Sequence, residues 1–358
     1  GWELSHSEPV QALEVFERTP TAEGLVAYER TLEDRSIVAK WVRERWHWLS
    51  FVALNAGNQK AVVARDRTIF YRSSLDSLIA PGFMAEPDAE GHPVPAIIAF
   101  RDNLQRAGVE LVLLIAPGKE SIYPEWLSRR YPVAGGPPSP RDMESFLAAM
   151  EGAGVPCVYP TEPLWRGKSA GLMYLRQDTH WTPEGMALVA DGLARVLGGR
   201  FGGPGGFSVR PRTVERHGDL YDMLSFAPTL PPPLPAERVV TQQVVARDGA
   251  PVEPDAASPV VLLGDSFTNI YSAPAMGWGD HAGLGEHLAL RLGQRLDVIA
   301  LNDGGVNTAR GNLARRPDAL AGKQLVIWQF AARDLVVSNG DWQKIEIAVQ
   351  EDETDATQ

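Results

Sequence analysis

The sequence predicts an α/β fold built on a mainly parallel sheet, with a helical extension at its N-terminus. Two observations carry that prediction. Short, predominantly apolar runs (Val109–Ala116, Val260–Leu263, Val298–Leu301 and Leu325–Phe330) read as strands, the first as one covered on both faces. Stretches with helical punctuation alternate with them, an order that implies parallel pairing through right-handed crossovers.

Residues 21–49 read as one long helix, with Thr21 as candidate N-cap and no Pro before Trp41, Trp46, Trp48 and Leu49. They make residues 1–55 an N-terminal helical extension. Short strand signals at Ala61–Ala64 and Thr68–Tyr71 open the main domain, 56–345, and a loop rich in Pro, Gly and acidic residues covers 80–95. Helices follow at Ala96–Ala107, stopped by Gly108, and at Arg141–Met150, with a strand at Val155–Tyr159. Pro183–Leu197 is the best-signalled helix: Thr182 is its N-cap, Pro183 its first residue, and Gly198-Gly199 its stop. Residues 201–257 break the rhythm with Gly202-Gly203-Pro204-Gly205-Gly206 and Pro231-Pro232-Pro233, and read as a long surface insertion without a core of its own. Helical stretches near 282–293 and 309–320 separate the last strands. The end, 346–358, is an acidic tail, disordered over Glu351–Gln358.

The 358 residues carry a net charge of −11, with Lys and Arg scattered rather than clustered, which argues against nucleic acid as a partner. No apolar stretch reaches the roughly 18–20 residues that cross a bilayer. The chain opens Gly1-Trp2-Glu3 without an initiating Met, so it reads as processed or truncated, a leader or anchor having been removed. The single cysteine, Cys157, reads as a small buried hydrophobe and fits either cytoplasm or periplasm.

Two segments carry chemistry. Gly264-Asp265-Ser266 follows the strand Val260–Leu263, and functional residues of open α/β sheets gather at the carboxyl ends of strands. Roughly one chain in ten of this length has Gly-Asp-Ser by chance, so the position after a strand matters more than the tripeptide. Gly264 lets the backbone turn sharply, and the amides that follow can face an oxyanion. The plainer alternative is that Ser266 caps a helix. Asp178-Thr179-His180-Trp181 lies on the loop before Thr182-Pro183, where Asp178 and His180, two apart, can reach one site. A carboxylate fixes the tautomer of an imidazole and stabilises its cation, and Trp181 can shield the pair from water. A metal site is not expected, because no further Asp/His group at ligand spacing lies nearby. Ser266, His180 and Asp178 together are the parts of an activated hydroxyl nucleophile.

The pairing of Asp178-Thr179-His180-Trp181 with Gly264-Asp265-Ser266-Phe267 resembles the AlgJ/AlgX-like alginate O-acetyltransferase family of the SGNH hydrolase-like superfamily. Supporting segments are Ala116-Pro117-Gly118-Lys119, Tyr123-Pro124, Gly218-Asp219-Leu220, Met223-Leu224, Asn302-Asp303-Gly304-Gly305 and Leu325–Phe330. The resemblance runs from about residue 60 to 340. Ordinary SGNH hydrolases place the serine early and an Asp-x-x-His late, whereas here the order is permuted, as in this family. The resemblance implies a three-layer α/β SGNH-like domain in the periplasm, with peripheral or anchored membrane association through an N-terminal segment outside this chain. It implies acetyl transfer through an acetyl-serine onto hydroxyls of an exopolysaccharide. Ser266 is then the nucleophile, His180 the base and Asp178 its orienter. Asn302 or Gly304 completes the oxyanion hole; an ordinary tight turn is the alternative. It implies no cofactor, and an acetyl donor supplied by a membrane-bound O-acyltransferase.

Four more residues are candidates for holding the substrate. Lys119 follows a strand end and either meets an anionic sugar or is a solvated loop lysine. Gln329 and Arg333 either bind substrate or satisfy each other. Trp181 is the fourth. Phe330-Ala331-Ala332-Arg333 is less polar than the family leads one to expect, and the chain ends 28 residues after Phe330, too soon for the carbohydrate-binding module of AlgX-like members. The rival readings are an acetylesterase with the same triad, a non-catalytic polysaccharide-binding subunit of a secretion complex, and a cytoplasmic lipase-like enzyme.

Overall fold

The computed structural model describes residues 21, 37–302, 304–338 and 340–348. Its centre is a five-stranded sheet. In chain order the strands are β3 (Glu110–Ala116), β4 (Cys157–Val158), β7 (Val260–Gly264), β8 (Asp297–Ala300) and β9 (Leu325–Ala331); β1 (Ala61–Val63), β2 (Ile69–Tyr71), β5 (Ser208–Arg216) and β6 (Glu237–Val245) pair outside it. The spatial order is β4-β3-β9-β7-β8, every pair parallel, with Leu113 opposite Trp328 and Leu263 opposite Trp328 on the other side.

The apolar runs are buried on both faces because helices cover both. On one side the Pro183–Leu197 and Leu284–Leu292 helices pack Met186, Val189, Leu193, Leu284 and Leu288 against Leu114, Leu262 and Ile327. On the other, the Pro93–Arg106, Met143–Gly152 and Gly305–Ala314 helices pack Ile97, Phe100, Phe146 and Leu313 against Leu113, Leu263 and Trp328. The result is a three-layer α/β domain, as expected. Thr182 accepts from the Gly185 amide at 3.1 Å and Gly198 ends that helix in the left-handed region, matching the start and stop signals.

The N-terminal helix is described over Ile37–Leu54, five residues past its expected end; residues 22–36 and the acidic segment 351–358 lie outside the described residues. Its inner face is Phe51, which packs with Ile69, Leu220 and Leu224. No helix among the described residues is long and apolar enough to cross a membrane. Cys157 is half-buried, and burial pushes its thiol up to about 12, so it behaves as a small hydrophobe.

The expected surface insertion differs most. Residues 201–257 contain a long antiparallel ribbon, β5 against β6, in register from Ser208 with Val245 to Arg216 with Glu237. Its strands escape a hydrophobic-periodicity reading because β5 is polar, carries Pro211, and is mostly exposed. The expected helix near 309–320 lies at Gly305–Ala314, and the strand at Val155–Tyr159 shortens to two paired residues. Short helices at Thr161–Gly167, Asp219–Met223 and Ser266–Asn269 carry too few residues for periodicity to register.

Candidate active site

Ser266 sits where β7 ends. A Cβ on Gly264 would lie 2.6 Å from the Thr268 Cβ and 3.1 Å from Gln329 Oε1, so only glycine lets the chain turn there. Asp265 caps the turn that follows, its Oδ1 accepting from the Phe267 amide at 2.7 Å. From neighbouring β9, Gln329 Oε1 accepts from the Asp265 amide at 3.1 Å and from the Thr268 hydroxyl at 2.8 Å. The serine loop is thus tied to the sheet's central strand.

Asp178 and His180 lie on a narrow loop. The Leu175 amide donates to the His180 carbonyl and the Thr182 amide to the Met173 carbonyl, closing it just before the Pro183–Leu197 helix. Across 86 residues of sequence, the two loops meet at one end of the sheet: Ser266 Oγ lies 2.8 Å from His180 Nε2, and His180 Nδ1 lies 2.6 Å from Asp178 Oδ1. The tautomer that satisfies both is Nδ1–H donating to the carboxylate while Nε2 accepts from the hydroxyl. Phe267 sets its ring edge-to-face on both the imidazole, 4.7 Å between centroids, and Trp181, 4.9 Å.

Asp178 is almost wholly buried. Burial alone would raise its carboxyl, but the His180 hydrogen bond, the Asp219 amide at 3.0 Å and the Trp278 indole at 2.8 Å hold it well below the usual carboxylate range. Burial pulls the His180 imidazole down, while the Asp178 hydrogen bond and the charges of Asp178, Asp219 and Asp265 pull it up harder; the net direction is up. The site is therefore a half-exposed hydroxyl backed by a buried imidazole and carboxylate, able to take a proton from the hydroxyl and return it.

Sequence reasoning missed two of its parts. Nothing near Trp278 marks it as a partner of Asp178, from which it is 100 residues distant. Asp219 stood inside a motif already singled out, Gly218-Asp219-Leu220, but without a role. Asp178, His180 and Asp219 offer ligand atoms within 4.8 Å of one another. That spacing would suit a cation, yet three of the four carboxylate oxygens are engaged: Asp178 Oδ1 by His180, Asp178 Oδ2 by Asp219 and Trp278, and Asp219 Oδ1 by the Thr179 amide at 2.7 Å.

The remaining candidates divide. Lys119 and Trp181 do not reach the mouth of the site. Lys119 is buried; its ammonium donates to the Ile69 carbonyl at 2.6 Å and the Arg176 carbonyl at 3.3 Å, which makes it a tether between β2 and the His180 loop. Burial lowers it to about 8. Trp181 is fully buried against Phe267, and its carbonyl accepts from Tyr271, so it screens the imidazole and lies in the core. Gln329 is also buried, and its hydrogen bonds run to the serine loop rather than to Arg333. Arg333 stays at the rim: its guanidinium lies 5.9 Å from the Phe267 ring and 5.3 Å from Tyr71, with Asp334 at 3.8 Å. Asn302 is exposed; its Oδ1 accepts from Asn269, one turn after Ser266, and its Nδ2 points at the Met276 sulfur at 3.0 Å. Gly304 precedes the helix that starts at Gly305.

Comparison with known proteins agrees with this architecture. Residues 80–332 match the family described as "SGNH hydrolase-like domain, acetyltransferase AlgX". Among curated proteins the chain is similar to "Probable alginate O-acetylase AlgJ" of Pseudomonas fluorescens, 28% identical over 308 residues covering 82% of this chain and 73% of that protein. The Pseudomonas putida protein of the same name is 29% identical over 309 residues, covering 82% and 75%. Among solved structures it is similar to the O-acetyltransferase domain of Pseudomonas putida AlgJ, with a TM-score of 0.59 and 25% identity over 77% of this chain and 91% of that one. The fold is also that of Pseudomonas aeruginosa AlgX, TM-score 0.56, 21% identity, over 76% of this chain and 61% of that one. With the family match covering most of its length, the chain belongs to the SGNH hydrolase-like, AlgX-type acetyltransferase family.

Proposed function

We propose that this chain is an O-acetyltransferase that moves acetyl groups through an acetyl-serine onto hydroxyls of an exopolysaccharide. One observation carries the reading: the unbroken contact from Ser266 Oγ through His180 to Asp178, in a family whose curated relatives bear the name alginate O-acetylase.

In the first half-reaction Ser266 Oγ attacks the acetyl carbonyl while His180 Nε2 takes its proton. The donor's leaving group departs with that proton, and the acetyl group remains on the serine. In the second, a sugar hydroxyl attacks the acetyl-serine, His180 takes the sugar's proton, and Ser266 leaves as the re-protonated hydroxyl. Asp178 keeps the imidazole turned and stabilises its cation in both. The Ser266 amide and a donor from Asn302 or Gly304 receive the oxyanion; one such donor is worth roughly 3–4 kcal/mol of barrier. The Met276 sulfur is a weak acceptor, so Asn302 gives up little by turning toward an oxyanion. Arg333 is the candidate for contact with an acidic sugar.

The acceptor is a polysaccharide outside the cytoplasm. The acetyl group comes from a membrane-bound O-acyltransferase, and the enzyme works in the periplasm, held peripherally at or anchored to the membrane through its N-terminal side. The test supplies a labelled acetyl ester with and without acidic oligosaccharide. Acetylated sugar that disappears in Ser266→Ala supports the transferase; acetate alone from both mixtures makes it an esterase; retained transfer in Ser266→Ala refutes the assignment.

A further inference from the structure

We propose that Asp219 is a positioning residue of this site: it clamps the Asp178–His180 loop in place and sets a second carboxylate beside the imidazole. The inference rests on the acetyl-serine reading above.

The clamp is reciprocal. Asp178 Oδ2 accepts from the Asp219 amide at 3.0 Å, and Asp219 Oδ1 accepts from the Thr179 amide at 2.7 Å. Each aspartate thus fixes the other's backbone. Gly218 makes the approach possible: a Cβ there would fall 2.6 Å from the Asp178 Cβ and overlap the Gln177 carbonyl. Glu237 continues the pattern, accepting from the Arg176 amide at 2.8 Å and the Gln177 amide at 2.6 Å. Three amides of the 176–179 stretch are therefore held by carboxylates from the segment 219–237. That segment is itself seated by Leu220 and Leu224, which pack on Phe51 and Ile69.

Holding the loop uses only one oxygen of Asp219. The other, Oδ2, lies 3.8 Å from His180 Nδ1, within reach of a charge and beyond a hydrogen bond. Burial and the Asp178 charge push the Asp219 carboxyl up to about 6, so above that pH the imidazole faces two anions. The other charged groups around them are Asp265 from the end of β7, Lys119 from the helix after β3, Glu237 from β6, and Asp222 from Asp219's own helix. Arg333, after β9, faces Asp265.

The test reads the imidazole without any acceptor. Phenylmethylsulfonyl fluoride is added to the whole chain, and sulfonylation of Ser266 is followed by intact mass between about pH 5 and pH 9, where histidine titrates. Asp219→Asn keeps an oxygen for the Thr179 amide and removes the charge. Its labelling should set in at lower pH, so that the rate just above pH 6, where the parent's Asp219 is ionised, rises at least about threefold relative to its own plateau. Asp219→Ala loses the oxygen as well, and its plateau should fall about tenfold or more. Gly218→Ala, which keeps both charges and strains the loop, should lower the plateau and leave the onset in place; it serves if Asp219→Asn does not fold. An Asp219→Asn profile superimposable on the parent's, an Asp219→Ala plateau equal to the parent's, or a Gly218→Ala plateau left unchanged overturns the clamp. Labelling that requires Ser266 but ignores Asp219 defeats this inference alone, whereas a parent chain that never labels defeats the acetyl-serine reading beneath it.

Discussion

The Trp278 indole donates to Asp178 Oδ2 at 2.8 Å, so a residue 100 positions downstream completes the hydrogen bonding of a buried carboxylate. Asp178 then has two donors on each oxygen: the His180 ring and amide on Oδ1, and the Asp219 amide and the indole on Oδ2. Four donors let a desolvated aspartate stay ionised beside the imidazole. Trp278→Phe keeps the packing and removes one of them. It should cost about 1–2 kcal/mol of transition-state stabilisation, roughly five- to thirtyfold in kcat/KM, with little change in acceptor KM. An unchanged kcat/KM would mean that the indole contributes packing only.

Asp178→Asn should be the most damaging conservative change away from Ser266 and His180. An amide at this position favours the wrong imidazole tautomer, and a loss of about 10⁴ in turnover accompanies that error in triads of this kind. Single-turnover acetylation of Ser266 measures it; a loss under tenfold would show that His180 does not depend on Asp178 for its orientation.

Activity and the His180 contribution to stability should run in opposite directions with pH. The proposed mechanism needs neutral His180, whose imidazole is held above its ordinary value by Asp178 and the neighbouring acids, so kcat/KM should rise as pH climbs through that raised value. The raised histidine stabilises the fold fully below its unfolded pKa and loses that contribution as pH rises through the folded one. Asp178, which is depressed, contributes above the unfolded carboxylate value and loses its contribution as pH falls toward the folded one. The parent's pH–rate curve reads the activity, and its melting curves against those of His180→Gln isolate the histidine's share of stability; a parent whose kcat/KM fell with rising pH across this range would contradict the base assignment.

Lys119→Met separates a tether from a substrate contact. Losing the bonds to the Ile69 and Arg176 carbonyls should lower stability by about 1–3 kcal/mol and reduce kcat by loosening the loop that carries Asp178. Urea denaturation and acceptor kinetics read the two effects. Intact stability with a raised acceptor KM would return Lys119 to the substrate.

Glu120 tests the cost of a buried acid. Burial pushes its carboxyl up to about 7. The fold therefore weakens as pH rises from the ordinary glutamate value through about 7, and levels off above it, since the ionised form is disfavoured inside. Glu120→Gln should therefore stabilise the protein more at pH 8 than at pH 5, by roughly 3 kcal/mol at most. Equal effects at both values would place the Arg333 attraction level with the burial penalty.

Much of this was legible before any coordinates. β3, β7 and β9 are predominantly apolar runs, broken only by Glu110 at the start of β3 and Gln329 in β9, as sheets covered on both faces require, and the Thr182-Pro183 start left Asp178 and His180 on a loop. The motif pair Asp178/His180 and Ser266 was readable because each piece sits at a punctuated boundary. The β5–β6 ribbon was not, because β5 is polar and mostly exposed, and β6 buries Thr241, Gln243, Val244 and Val245 without a clean apolar alternation. Nor was the inward turn of Lys119: a lysine after a strand end gives no sign that two carbonyls, Ile69 and Arg176, converge on it from distant parts of the chain. Trp278 and Asp219 were hidden for the same reason, since their value lies in partners that only the fold supplies.

β9 is the last strand of the sheet in sequence and sits in its middle, between β3 and β7. During synthesis the halves β4-β3 and β7-β8 must wait, each with an open hydrogen-bonding edge, until Leu325–Ala331 leaves the ribosome to join them. A nascent chain is therefore incomplete for almost its whole length, and both edges stay open to adhesion with other chains until the joining strand arrives.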